Sequence, residues 1–135
     1  MKISTFFDFC SGIGAGRLGL EQCGLKCVGY SDTSRLSVTT YKLMFNTENE
    51  KNYGNLKKIK CETLPPFDLL IAGFPCQTFS VIGRKAGFSD ERGQIIFHLI
   101  RIINETRPMC FILENVRGLV SHDKGATINK IMTEF

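Results

Sequence analysis

Hydrophobic positions along the chain switch between a two-residue and a three-to-four-residue period, and the switches mark out elements. Ile3–Phe9 is rich in residues that favour strands and runs into Cys10-Ser11-Gly12-Ile13-Gly14-Ala15-Gly16; Arg17–Cys23 then reads as a short helix with Gly24 as its left-handed cap. Cys27–Ser31 reads as a second strand. The helix predicted over about Ser34–Phe45 places Val38, Tyr41 and Phe45 on one face. Asn46–Lys60 is polar, with a short strand expected near Leu56–Ile59. Phe67–Ala72, bounded by Pro65-Pro66 and Gly73, is the compact apolar run of a parallel strand covered on both faces. A loop rich in glycine and charge follows over Gly73–Gly93. Ile95, Ile96, Leu99, Ile100, Ile102 and Ile103 give a helix with a broad apolar face, ended by Pro108, with His98, Arg101 and Glu105 on its other side. Cys110–Leu113 reads as another buried strand, and Ile128, Ile131, Met132 and Phe135 mark a final amphipathic helix.

Strands alternating with helices imply right-handed crossovers and an α/β fold with a doubly wound, mostly parallel sheet. In such sheets ligands collect beyond the carboxyl ends of the strands. The residues just after each predicted strand are therefore the candidates for chemistry.

Composition narrows the class without naming a function. The 135 residues, 43% apolar and 22% charged, suit one soluble domain with a real core. No run of about 18 apolar residues is present, and the start MKISTFFDF lacks the features of a secretory signal, so a membrane protein is excluded and a cytoplasmic setting expected. The six cysteines are scattered without a C-x-x-C pair, which reads as free thiols and not as a disulfide framework or a metal cluster. A net charge of +4 tolerates a polyanionic partner without arguing for one.

Three strand ends carry suggestive residues. The first ends in Phe9-x-x-Gly12-Ile13-Gly14, where glycines allow a tight turn and a close approach to a cofactor at a helix start. Asp32, twenty residues after Gly12, stands at the end of the second strand, where nucleotide-binding α/β proteins place a ribose-binding carboxylate. The plainer reading is a structural turn and a helix-capping Asp. The third gives Gly73-Phe74-Pro75-Cys76-Gln77, a cysteine in the crevice able to act as a nucleophile if deprotonated; a buried structural thiol is the alternative. Glu114-Asn115-Val116 ends the following strand, and burial of Glu114 would raise its pKa and let it donate a proton. An exposed strand-end acid is the alternative there.

The runs FCSGIGAGRLGLE at Phe9–Glu21, GFPCQTFSVIG at Gly73–Gly83, GFSDERG at Gly87–Gly93 and ENVRGLVSHDKG at Glu114–Gly125 resemble, in order and spacing, successive motifs of the DNA (cytosine-5)-methyltransferases. The Pro-Cys-Gln run followed some 38 residues later by Glu-Asn-Val is the most specific of these. The resemblance implies a Rossmann-like methyltransferase fold with S-adenosylmethionine as methyl donor and no metal. It assigns Phe9, Gly12, Ile13 and Gly14 to the cofactor loop, Asp32 to the ribose, and Thr33, Asn55, Gly73 and Pro75 to the rest of the cofactor pocket. Cys76 is then the nucleophile toward C6 of a cytosine flipped out of double-stranded DNA, and Glu114 the residue that holds and protonates the N3 edge. Gln77, Ser80, Arg84, Arg92 and Asn115 fall on the substrate side, with Lys85 beside Arg84 facing phosphates.

Departures from the family pattern are Ala15-Gly16 after the glycine loop, Asp32-Thr33-Ser34 where the family shows Glu, a bulky residue and Asp, and Asn55 where an Asp often contacts adenine. The first is a tolerable change, the second alters stacking on the adenine, and the third alters cofactor affinity. The family's later Gln-Arg-Arg motif and target-recognition domain are not in the 135 residues, so the expectation is a single, C-terminally incomplete catalytic domain with an apolar edge at Cys110–Leu113. A truncated product, one subunit of a split enzyme completed by a C-terminal partner, and a degenerate remnant stay open. So do a non-catalytic cofactor- or DNA-binding module and an RNA methyltransferase. The resemblance places the protein in restriction-modification or phage biology, in the cytoplasm, or in the nucleus if eukaryotic.

Overall fold

The computed structural model describes residues 2–74 and 94–135. Four parallel strands, β1 (Thr5–Phe9), β2 (Lys26–Ser31), β3 (Leu69–Gly73) and β4 (Cys110–Glu114), form one sheet in the order β2-β1-β3-β4. The direction of winding reverses between β1 and β3, which opens a crevice at their carboxyl ends. This is the doubly wound architecture expected from the alternation.

β1 is central because its side chains demand cover on both faces. Phe6, Phe7 and Phe9 are fully buried, each ring contributing about 2–3 kcal/mol by leaving water. Phe7 and Phe9 share one face with Leu70 and Ala72, covered by α3 (Ile95–Thr106), whose Ile96, Leu99 and Ile102 are buried. Phe6 lies on the other face with Cys27 and Leu69. That face carries α1 (Ala15–Gln22), where a Cβ on Gly16 would meet Ile71, and α2 (Arg35–Phe45), where Tyr41 stacks on Tyr30 at 4.2 Å. The short α4 (Gly118–Ser121) and α5 (Ala126–Thr133) follow β4, with Leu119 and Ile131 joining the α3 core.

Three expectations need correction. Leu56–Lys58 is a turn of 3-10 helix and not a strand: the Asn55 side chain accepts from Lys57 N–H at 2.9 Å, closing a local turn that competes with pairing. Arg101 then fixes it by donating to the Leu56 and Ile59 carbonyls at 3.0 and 3.1 Å. β4 is not the buried strand that its apolar run suggests by itself; it is the apolar edge expected at Cys110–Leu113, with Phe111 and Ile112 41% and 45% exposed. The last helix ends at Thr133, with Met132 on its exposed side and Phe135 beyond its end, stacked on Phe111 at 4.9 Å. Among the described residues, no helix is long and apolar enough to cross a membrane.

Candidate active site

The turn after β1 is built from positive-φ residues. Cys10, Gly12 and Gly14 have φ of 50, 55 and 94°, and Gly14 caps α1. A side chain on Gly14 would collide with the Phe45 ring, so glycine is required there by conformation and by space. Gly12 faces open space, and Ile13 beside it is half exposed.

Asp32 locks this turn to the end of β2. Its Oδ2 accepts from Gly12 N–H at 2.9 Å and its Oδ1 from Ser34 N–H at 2.7 Å. Ser34, not Asp32, is the side-chain cap of α2, accepting from Ser37 N–H at 3.3 Å. Asn52 in turn clasps the Asp32 backbone: its Nδ2 donates to the Asp32 carbonyl at 2.9 Å, while its Oδ1 accepts from Asp32 N–H at 3.1 Å and Gly54 N–H at 2.9 Å. The carboxylate is thus oriented before any ligand arrives and keeps lone pairs for one.

Between this corner and the 3-10 turn lies a cavity of about 280 Å³. Asp32, Thr33 and Asn55 line it, as expected, together with Cys10, Ser31, Leu56 and Ile95. A volume near the lower end for small-ligand sites suits a nucleoside-sized group. Burial and the nearby Asp32 and Asp8 carboxylates push the Cys10 thiol up to about 12, so it is a neutral wall. The Phe9 ring lies elsewhere, fully buried against Phe7 and Phe67, and serves as packing beneath the turn.

The β3 and β4 ends meet in register. Gly73 pairs with Glu114, and a Cβ on Gly73 would lie 3.3 Å from Glu114 Oε2. Asn115 does not project freely as a substrate residue: its Nδ2 donates to the Phe74 carbonyl at 3.0 Å and its Oδ1 accepts from Val116 N–H at 2.9 Å, tying the two strand ends together. Glu114 is exposed, which corrects the expectation of burial; an edge strand leaves its last residue open to solvent. Pro75, Cys76, Gln77, Ser80, Arg84, Lys85 and Arg92 lie outside the described residues.

A charged cluster behind the glycine turn went unread in the sequence. Asp8, 3% exposed, accepts from the Tyr41 hydroxyl at 3.3 Å. Arg17, 6% exposed, bonds Glu50 at 2.8 and 3.1 Å and Glu21 at 2.8 Å, its guanidinium 4.7 Å from the Phe45 ring centre. Burial drives the Asp8 carboxyl up to about 7 against the pull of Tyr41 and Arg17. The available signal was an Asp between Phe7 and Phe9 in an apolar strand.

Residues 4–135 match the C-5 cytosine-specific DNA methylase family. The chain belongs to that family. It is 45% identical over 131 residues to the type II methyltransferase M.DsaV of Dactylococcopsis salina, covering 97% of this chain and 36% of that protein. It is 40% identical over 137 residues to the orphan methyltransferase M.SPRI of Bacillus phage SPR, covering 100% of this chain and 30% of that protein. Among solved structures, the Entamoeba histolytica methyltransferase EhMeth superposes with a TM-score of 0.76 at 20% identity, over 99% of this chain and 43% of that one. That likeness shows the shared methyltransferase fold. The chain spans about a third of the length of the methylase relatives it matches. No group of three or more His, Cys, Asp or Glu side chains among the described residues could hold a metal ion.

Proposed function

We propose that the chain is the cofactor- and cytosine-facing portion of a DNA (cytosine-5)-methyltransferase that works through Cys76. The observation that carries this is a pre-oriented Asp32 in a nucleoside-sized cavity at one strand-end corner, beside a β3–β4 pair that ends in register at Gly73 and Glu114. S-adenosylmethionine, when bound, supplies the methyl group. Asp32 accepts its ribose hydroxyls, Thr33 and Asn55 hold the adenine side, and the turn at Gly12, Ile13 and Gly14 allows close approach beside α1. Phe9 and Gly73 shape the pocket from behind, and Pro75 directs the chain into Cys76.

A cytosine in a duplex shields its ring carbons by stacking, so it must be flipped out. The Cys76 thiolate forms a bond to C6 while Glu114 holds N3 and gives it a proton, which leaves electron density on C5. C5 takes the methyl group; water then removes the C5 proton, the C5–C6 double bond re-forms as the Cys76 thiolate leaves, and N3 returns its proton to Glu114. Exposed Glu114 gains the cover that favours protonation when the base and further polypeptide close over it. Gln77, Ser80, Arg84 and Arg92 face the DNA, and Asn115 positions the loop through Phe74. The uncovered apolar side of β4 supports packing against further polypeptide, in the same chain or in a complementary C-terminal subunit.

The test is a duplex carrying 5-fluorocytosine, incubated with S-adenosylmethionine and a cell extract able to supply a missing partner. Fluorine cannot leave C5 as a proton does, so a covalent adduct is expected with the wild type and none with Cys76→Ser. Absence of any adduct even with extract rejects the catalytic reading. A non-catalytic cofactor-binding module is the second reading, favoured by the exposure of Glu114; it expects Cys76→Ser to change nothing measurable.

A further inference from the structure

We propose that Ser31 is an additional ligand-contact residue, its sealed hydroxyl bonding the nucleoside part of the cofactor; this rests on reading the cavity as the nucleoside site. Ser31 is completely buried, yet its Oγ has no hydrogen-bond partner among the described residues. Pairing with Phe9 turns its side chain to the face of the sheet where Leu56 lies, and Ser31 lines the cavity. Its carbonyl is already used by Ser11 N–H at 3.0 Å, and of the four buried unpaired hydroxyls among the described residues, on Ser11, Tyr30, Ser31 and Thr47, only that of Ser31 belongs to a residue lining this cavity.

The surrounding corner makes that orphan informative. Asp32 uses both carboxylate oxygens and both backbone groups, Ser34 caps α2, and Asn55 closes its own turn. Folded proteins seldom leave a buried hydroxyl unpaired without a use for it. The cavity lining contains a carboxylate and a neutral Cys10 but no Lys or Arg among the described residues, which disfavours a phosphate and favours an uncharged edge rich in donors and acceptors. A ribose or purine edge supplies both.

Titration calorimetry on the full chain with S-adenosylhomocysteine, adenosine, adenosine monophosphate and methionine tests this. Wild type should bind the first two and discriminate against the monophosphate. Ser31→Ala should weaken S-adenosylhomocysteine and adenosine by about five- to tenfold, the loss of one bond to a neutral group. Any binding of methionine should be unchanged. Without ligand, Ser31→Ala should melt about 2–4 °C above wild type, because it deletes a buried unpaired hydroxyl. Ser31→Cys keeps the shape with a weak donor and should lose affinity at wild-type stability. Adenosyl affinity within twofold of wild type in both variants overturns the inference, as does a lower melting point of unliganded Ser31→Ala, since the hydroxyl would then already have a partner. Wild type that binds neither adenosyl compound overturns the nucleoside reading itself, a separate result.

Discussion

The two edges of the sheet are finished in opposite ways. On the β1–β2 side, polar groups close on one another: Asp32 bridges Gly12 and Ser34, Asn52 clasps Asp32, and Arg17 gathers Glu21 and Glu50 over the Phe45 ring. On the β4 side, a Phe111–Phe135 stack and an exposed Ile112 face outward. The first edge is closed by its own polar groups around the cavity proposed for the nucleoside; the second leaves apolar side chains open among the described residues. Stability and cofactor binding should therefore depend on the first, and assembly into a working site on the second.

That contrast can be broken most severely at Gly14. Gly14→Ala combines a left-handed backbone with a collision against Phe45 and should cost about 4 kcal/mol or more, abolishing the cooperative melt. Next is pH. Asp8 holds its proton more tightly when folded, so stability is full below the ordinary carboxylate pKa of about 4 and falls as pH rises toward 7. The decline should be on the order of 3 kcal/mol in urea titrations from pH 4 to 8 and should flatten in Asp8→Asn. Asn52→Ala strands three backbone groups around Asp32 and Gly54 and should cost about 2 kcal/mol, with weaker S-adenosylhomocysteine binding by calorimetry. Smallest is Ile112→Thr on the open edge, within about 0.5 kcal/mol of wild type by thermal melting. A larger loss there would mean that β4 is already covered.

The strands and helices were legible because their periods were clean: three buried Phe in β1, and six apolar positions on one side of α3. Local hydrogen bonding was harder to read. Leu56–Ile59 has strand-like ends, but the Asn55 side chain closes a turn first, and nothing in the pattern announces that Arg101, over forty residues on, will bond its carbonyls. The apolar run at β4 reads as buried by itself, and its open edge was legible only through the family resemblance, because the run carries no mark of whether its sheet continues beyond it. At the site, Asp32 was found by position and Thr33 and Asn55 through the family resemblance, and the three share a cavity. Phe9 and Asn115 were found by motif, and their side chains turn inward as packing and as a tie. Ser31 and Asn52 carry no motif; only three-dimensional accounting of each polar atom reveals them.

The Asp32 carboxylate offers a way to watch the pocket. One side chain holds two amide hydrogens from segments twenty-two residues apart, Gly12 and Ser34. A ligand that draws on this carboxylate competes with both bonds at once, so the two amide resonances should shift in concert in a nitrogen–proton spectrum. Binding elsewhere on the surface would leave the pair still. The corner thus contains its own gauge of occupancy, readable from its own backbone amides without an attached probe.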